Sequence, residues 1–273
     1  MSTSESVIPE QFLLRDRVIV NPGCDIQLSV DAIGAFGETG TLRTEGSEDA
    51  AVVASSLAQQ FSPVNAIAVL DGHVPGSAHA DTAYNDLAGI VPNVTTLTEE
   101  RIDQWIRIGE EKILRPSARF SLRSLRADAR LTRMFTGGDQ VVWAEHATMG
   151  STETLFIAPL TPNMFGNIFF KGTHPLHDSH SAVWDAVGNP TGVMNDIASR
   201  QLPIRAVFID GNALEVCIFL TAMNLSRFGI AVYIVTDGVG FLPFISDDNR
   251  LIIIKKLVQA GVKFTHTSLL TFS

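Results

Sequence analysis

Short apolar runs rich in β-branched residues recur along the chain, with helical periodicity between them. Six read as strands: 26–31 (IQLSVD), 65–71 (NAIAVLD), 166–170 (GNIFF), 205–210 (RAVFID), 231–236 (AVYIVT) and 262–267 (VKFTHT). Runs this short and this continuously apolar suit strands buried on both faces. Helices are expected at 48–61, 192–200, 217–228 and 249–260. Strand alternating with helix predicts a three-layer α/β/α fold around a mostly parallel, about six-stranded sheet.

Residues 80–140 break that alternation, with two expected helices and no clear strand. Thr98 precedes Glu99 and Glu100, a cap followed by an acidic first turn. Ile102, Trp105 and Ile106 then recur at helical spacing, and Pro116 separates this helix from the next. The segment reads as a helical insertion or lid on a single domain spanning 1–273. Arg115, Arg119, Arg123, Arg126, Arg130 and Arg133 recur every three or four residues, which on one helix makes a basic stripe. A solvated face paired with acidic neighbours is one reading; contact with the acidic surface of a second subunit in a homo-oligomer is the other.

Composition narrows the classes. With 45% hydrophobic and 18% charged residues among 273, the chain can bury a substantial core. A net charge of -9 argues against non-specific binding of nucleic acid or an anionic membrane. No run approaches the ~20 apolar residues that cross a bilayer, and MSTSESVIPEQF lacks the pattern of a secretory signal. Cys24 and Cys217 make no disulfide framework. A cytoplasmic enzyme with a usable thiol is expected.

Sites in open α/β sheets form at the carboxyl ends of strands. Asp31 and Asp71 end two of the apolar runs, Lys171 follows a third, and Cys217 lies six residues beyond Gly211, which closes a fourth. Cys217 at a helix start can be held as thiolate by the helix dipole, or can be a buried core cysteine. Asp31 can accept a thiol proton, and Lys171 can stabilise thiolate and oxyanion; a helix cap and a surface lysine are the alternatives. DGHVPGSAH carries Asp71, His73 and His79, and WAEHATMGST carries His146. One carboxylate with two or three imidazoles suits zinc, manganese or ferrous iron, unless these are ordinary loop residues.

Five blocks, in order, resemble the nicotinamidases within the isochorismatase-like cysteine hydrolases. They are Val30-Asp31 with Phe36; Asp71, His73 and His79; Trp143, His146, Gly150 and Ser151; Lys171-Gly172 with Asp178-Ser179-His180-Ser181-Ala182; and Gly211, Ala213, Cys217, Thr221 and Ala222. The resemblance spans about 1–79 and 141–273. Ile33, Leu214, Glu215 and His180 depart from it, standing where glutamine, threonine, aspartate and tyrosine are usual.

The resemblance implies an isochorismatase-like fold and a cysteine-dependent amidase, of the class acting on linear amides, that cleaves nicotinamide or a related cyclic carboxamide through a thioester. Asp31 would take the proton of Cys217, and the N–H groups of Ala213 and Cys217 would form the oxyanion hole beside a cis Asn212–Ala213 peptide. Asp71, His73, His146 and, less strictly, His79 would hold a divalent metal, zinc first, with iron or manganese as alternatives. Phe36 and Trp143 would sandwich the ring, or simply pack in the core. His174 and His177 are expected to be surface loop residues. A hydrolase of linear carbamoyl or ureido amides and a catalytically silent binding protein are the competing readings.

Overall fold

The computed structural model describes residues 7–200 and 203–273. In chain order the elements are β1 (Val18–Val20), β2 (Ile26–Val30), α1 (Ser47–Ala58), β3 (Ala66–Asp71), β4 (Thr96–Leu97), α2 (Glu99–Ile108), α3 (Glu110–Ile113), α4 (Leu122–Thr136), β5 (Gln140–Val141) and β6 (Asn167–Lys171). There follow α5 (Val193–Ala198), β7 (Ala206–Gly211), α6 (Phe219–Ser226), β8 (Ala231–Val239), α7 (Asp247–Gln259), β9 (Lys263–Thr265) and β10 (Leu270–Phe272).

The central sheet has six strands in the order β6-β3-β2-β7-β8-β9, all parallel. Alternate residues of β2 serve opposite faces, as the pleat requires. Ile26, Leu28 and Val30 join a core beneath α5, α6 and α7, while Ala66, Ala68 and Phe208 of the neighbouring strands join a second core beneath α1. Burial of each large aliphatic side chain contributes about 1.5–3 kcal/mol, so two such cores suffice to hold the three layers together. On the α1 face, β2 places Gln27 and Ser29 beside Asp210 of β7, all fully buried. The Gln27 amide donates to Asp210 Oδ2 at 2.8 Å and to the Ala54 carbonyl of α1 at 2.8 Å. Among the described residues, no helix is long and apolar enough to cross a membrane.

The six expected strands are all present. Two pairs were not anticipated: β1 with β10, parallel, and β4 with β5, antiparallel. Strands of two or three residues, one carrying the 63% exposed Ile19, give too little periodicity to read.

Residues 80–140 hold three helices and a cluster of their own around Ile102, Trp105, Ile113, Leu122 and Leu125. Thr98 caps α2 by accepting from Arg101 N, as its sequence predicts. Ser121 and Ser124 form a reciprocal capping box at α4, and Gly137 closes that helix with φ +79, a conformation glycine adopts freely. The single basic stripe is overturned. Arg115 and Arg119 precede the Ser121 cap, so they are not on α4 at all. Arg126 pairs with Asp103 at 2.5 Å and Glu99 at 3.0 Å on α2, and Arg133 with Asp139. Arg119 donates to the Pro75 carbonyl. Arg126 and Arg133 tie the segment to itself, and Arg119 ties it to the loop that follows β3.

Candidate active site

The carboxyl edge of the sheet gathers the chemistry. β3 and β6 are neighbours in a register that sets Asp71 opposite Lys171. β2 ends one residue before Asp31, which turns the chain at φ +52, a left-handed conformation unusual for a residue with a Cβ. The turn is held by Asp31 N donating to the Val69 carbonyl and Asn212 Nδ2 donating to the Asp31 carbonyl. Beyond β7, a π-helical turn over Leu214–Ile218 runs into α6 and carries Cys217 inward. The peptide Asn212–Ala213 is cis. Leu214 N is committed to the Gly240 carbonyl, and Val216 N and Ile218 N to the Ala213 carbonyl. The N–H groups of Ala213 and Cys217 remain as candidates to face a ligand oxygen.

Lys171 is 2% exposed and stands at the centre. Its Nζ lies 2.5 Å from Asp71 Oδ1, 2.9 Å from Asp31 Oδ2 and 3.5 Å from Cys217 Sγ. The Asp31 contact is an ion pair without hydrogen-bond alignment, whereas Asp31 Oδ1 accepts from Asp71 N at 2.8 Å. Burial, aided by the charge of Asp71, lifts the Asp31 carboxyl to about 7, with Lys171 opposing. Burial would raise Asp71 too, but Lys171 and then His73 outweigh it and hold that carboxyl well below its ordinary range. Burial works against the Lys171 ammonium, yet Asp31 and Asp71 keep it charged. For Cys217, burial wins over Lys171 and raises the thiol well above its usual value. The helix-start position is thus as expected, but the resting group is a neutral thiol rather than a thiolate.

The other oxygen of Asp71 faces two imidazoles, 3.6 Å from His73 Nε2 and 3.8 Å from His146 Nε2. His73 Nδ1 meets the Gly172 carbonyl at 3.1 Å and His146 Nδ1 the Ala144 carbonyl at 2.8 Å. A carbonyl only accepts, so each Nδ1 carries the proton and each Nε2 presents its lone pair. His79 is 1% exposed, and neither of its ring nitrogens has a partner. Burial pushes it down to about 3, so it stays neutral. The ligand atoms of Asp71, His73 and His146 all lie within 4.8 Å of one another. An orphaned buried imidazole beside three convergent donors is what a divalent-metal site requires.

A small cavity opens beside the imidazoles of His73 and His146. Phe36, Trp143, Leu42, Val216 and Leu242 wall it, Cys217 and Ala213 lie at one side, and Asp71, His73 and His146 at the other. The structure therefore brings together Asp31, Lys171, Cys217, Ala213, Phe36, Trp143, Asp71, His73, His79 and His146. Sequence reasoning missed Leu42, Leu242 and any role for Asp178, which also lines the cavity together with His180. Glu215 accepts from Leu242 N at 3.0 Å and from Arg250 Nε at 2.6 Å, so this departure from the family pattern anchors a cavity wall. None of the lining residues comes from 80–140. His174 is exposed as expected, but His177 is half-buried and paired with Asp128 of α4, because α4 packs against this loop.

No protein-family profile matches the chain. It is 28% identical over 102 residues to the nicotinamidase of Escherichia coli (strain K12), covering 37% of this chain and 47% of that one. With the nicotinamidase of Acinetobacter baylyi the identity is 31% over 102 residues, at the same coverage. The chain thus spans about half the length of the curated relatives it matches. Among solved structures, an L. infantum protein in complex with nicotinate superposes with a TM-score of 0.66 at 19% identity, over 94% of this chain and 100% of the other. A yeast nicotinamidase bound to the inhibitor nicotinaldehyde gives 0.66 at 14% identity, over 89% and 99%. Pyrococcus horikoshii pyrazinamidase in complex with zinc gives 0.56 at 17% identity, over 89% and 98%. This chain has the fold of the nicotinamidases and isochorismatase-like hydrolases, and its curated sequence relatives are nicotinamidases.

Proposed function

We infer that the protein is a cysteine amidohydrolase that cleaves nicotinamide, or a related aromatic carboxamide, to the acid and ammonia. The observation that carries this reading is the contact of Lys171 with Asp31, Asp71 and Cys217, the last two of which line an aromatic-walled cavity. The relatives are named for nicotinamide, whose carboxamide hangs from a ring. That corrects the linear-amide description, and the walls of Phe36 and Trp143 suit a flat ring.

The reaction follows from the groups present. Cys217 Sγ attacks the carboxamide carbon while Asp31 takes the thiol proton, and Lys171 offsets the charge that develops at sulfur. A C–S bond forms, the carbonyl electron pair moves to oxygen, and the N–H groups of Ala213 and Cys217 receive it. Collapse breaks the C–N bond, Asp31 returns its proton to the departing nitrogen, and ammonia leaves. Asp31 then takes a proton from water as it adds to the thioester, and Cys217 leaves and is reprotonated. Asp71, His73, His146 and His79 would hold a divalent ion, zinc, iron or manganese, which supplies a Lewis-acid contact to a ring nitrogen or a water. Two cysteines with no disulfide accord with a cytoplasmic compartment.

The test is ammonia release from nicotinamide by the metal-loaded protein beside Cys217→Ala. We expect release that falls roughly 10⁴-fold or more in the variant. Turnover that survives the substitution would remove the thiol from the mechanism, and a wild type that binds metal but releases nothing would exclude this substrate.

A further inference from the structure

A second cavity adjoins the catalytic one, and His180 lines both. Its imidazole stands edge-on to Trp143, an aromatic wall of the catalytic cavity, with ring centroids 5.9 Å apart. The chain links the two cavities as well. α6 starts directly after the turn that carries Val216 and Cys217 into the catalytic cavity. Leu220 and Asn224 of that helix, and Arg227 at its end, line the second. Spacings of four and three place these residues on one helix face. At 1.5 Å per residue that face runs about 10 Å away from the nucleophile's turn, room for one further ring. Phe135 and Thr136, at the end of α4, also line the second cavity.

What this cavity offers a ligand is mainly apolar surface. Its polar groups are engaged locally: Asn224 Nδ2 donates to Ser181 Oγ at 2.9 Å, and Asp185 accepts from Val187 N, Asn189 N and Asn189 Nδ2. Phe135, by contrast, is 47% exposed, and its ring stands at 82° and 6.1 Å to that of half-buried Trp184. A half-open aromatic corner of this kind gains by covering with a flat apolar group. The exposed Arg227 side chain has no ion-pair partner among the described residues, so its guanidinium is free to lie over a ring face.

On this ground, and resting on the amidase reading above, we propose that the second cavity is a substrate subsite and that the substrate is an aromatic carboxamide carrying a second ring. The carboxamide ring lies between Phe36 and Trp143, and the second ring passes His180 to pack on Phe135, Trp184 and Leu220. α4 thereby selects the substrate without touching the reacting atoms.

The experiment measures ammonia release by the metal-loaded full chain from nicotinamide and from two arylated nicotinamides. These carry a phenyl group on the ring carbon meta, or the one para, to the carboxamide. At least one of them should be hydrolysed with kcat/KM no more than about tenfold below that of nicotinamide. Phe135→Ala trims a half-exposed ring at a helix end, a change the fold tolerates. It should lower the ratio of kcat/KM for that amide over nicotinamide about tenfold. Two arylated amides that both fall below the expected level would overturn the proposal, and so would a ratio that Phe135→Ala leaves unchanged. A wild type that releases ammonia from none of the three sinks the amidase reading instead. Calorimetric binding of the arylated amides to wild type and Phe135→Ala then decides the subsite. Affinity about tenfold weaker in the variant keeps it; equal affinities, or no binding, discard it.

Discussion

Two carboxyl groups in this molecule, Asp31 and Asp210, are each pushed up to about 7 by burial, and only one of them sits where chemistry can be done. Asp31 lies at the carboxyl edge, with the Lys171 ammonium 2.9 Å away and the Cys217 thiol within reach of the same lysine. Asp210 lies one strand away, under α1, with only the neutral side chains of Gln27 and Ser29 to ease its charge. The shift is the same size and the cause is the same. What separates them is a fixed countercharge and the thiol that shares it. Both carboxyls are poised to exchange a proton near neutral pH, but only Asp31 has an ammonium beside it and, on that ammonium, a thiol.

The comparison breaks most severely if the countercharge goes. Lys171→Met leaves Asp31 and Asp71 buried together without a cation, and we expect a loss of about 3–5 kcal/mol at pH 8 by urea unfolding. The loss should shrink towards pH 5, as the carboxyls take up protons in place of the lysine. Undiminished stability at pH 8 would mean that the lysine is not what makes this edge tolerable.

Asp210→Asn sharpens the other side. A carboxyl raised above its unfolded value of 3.8 stabilises the fold at low pH. That contribution is lost as pH rises through the folded value of about 7. The wild type should therefore lose stability between pH 5 and 7 relative to the variant, by roughly 2–3 kcal/mol, and level off above that. Asp31 has the same sign but is present in both proteins and cancels from the difference. Parallel stability curves across that range would show that Asp210 is ionised throughout.

The smallest effect belongs outside both clusters. The Arg126 side chain is 39% exposed and pairs with Asp103 and Glu99 of α2. Arg126→Ala should cost no more than about 1 kcal/mol in thermal unfolding and leave nicotinamide turnover intact. A large loss of turnover would mean that 80–140 acts on the cavity after all.

The sequence made the edge legible because its strands are continuous apolar runs with a chemically capable residue at each end: Asp31, Asp71 and Lys171 need only the parallel register to meet. Cys217 was placed by its distance from Gly211. The thiol's protonation was not legible, because it depends on burial that no local pattern records. That Gln27, Ser29 and Asp210 face one another requires the lateral order of β2 and β7, which no local pattern carries. His177 read as a surface residue because its partner, Asp128, lies 49 positions away on a helix whose packing no local pattern records. The arginine spacing was legible and misleading: Ser121 starts the helix after the first two of the six.

β3 and β6 lie side by side, yet the chain leaves at Asp71 and returns only at Asn167. The entropy lost in closing a connection grows only with the logarithm of its length, so doubling it adds about 0.6 kcal/mol. A detour the size of 80–140 is therefore nearly free to the sheet, provided the added residues settle their own apolar surface. The cluster around Ile102, Trp105 and Leu125 does that. A long connection between β3 and β6 is therefore compatible with their register, and it leaves and returns at the strand ends that carry Asp71 and Lys171.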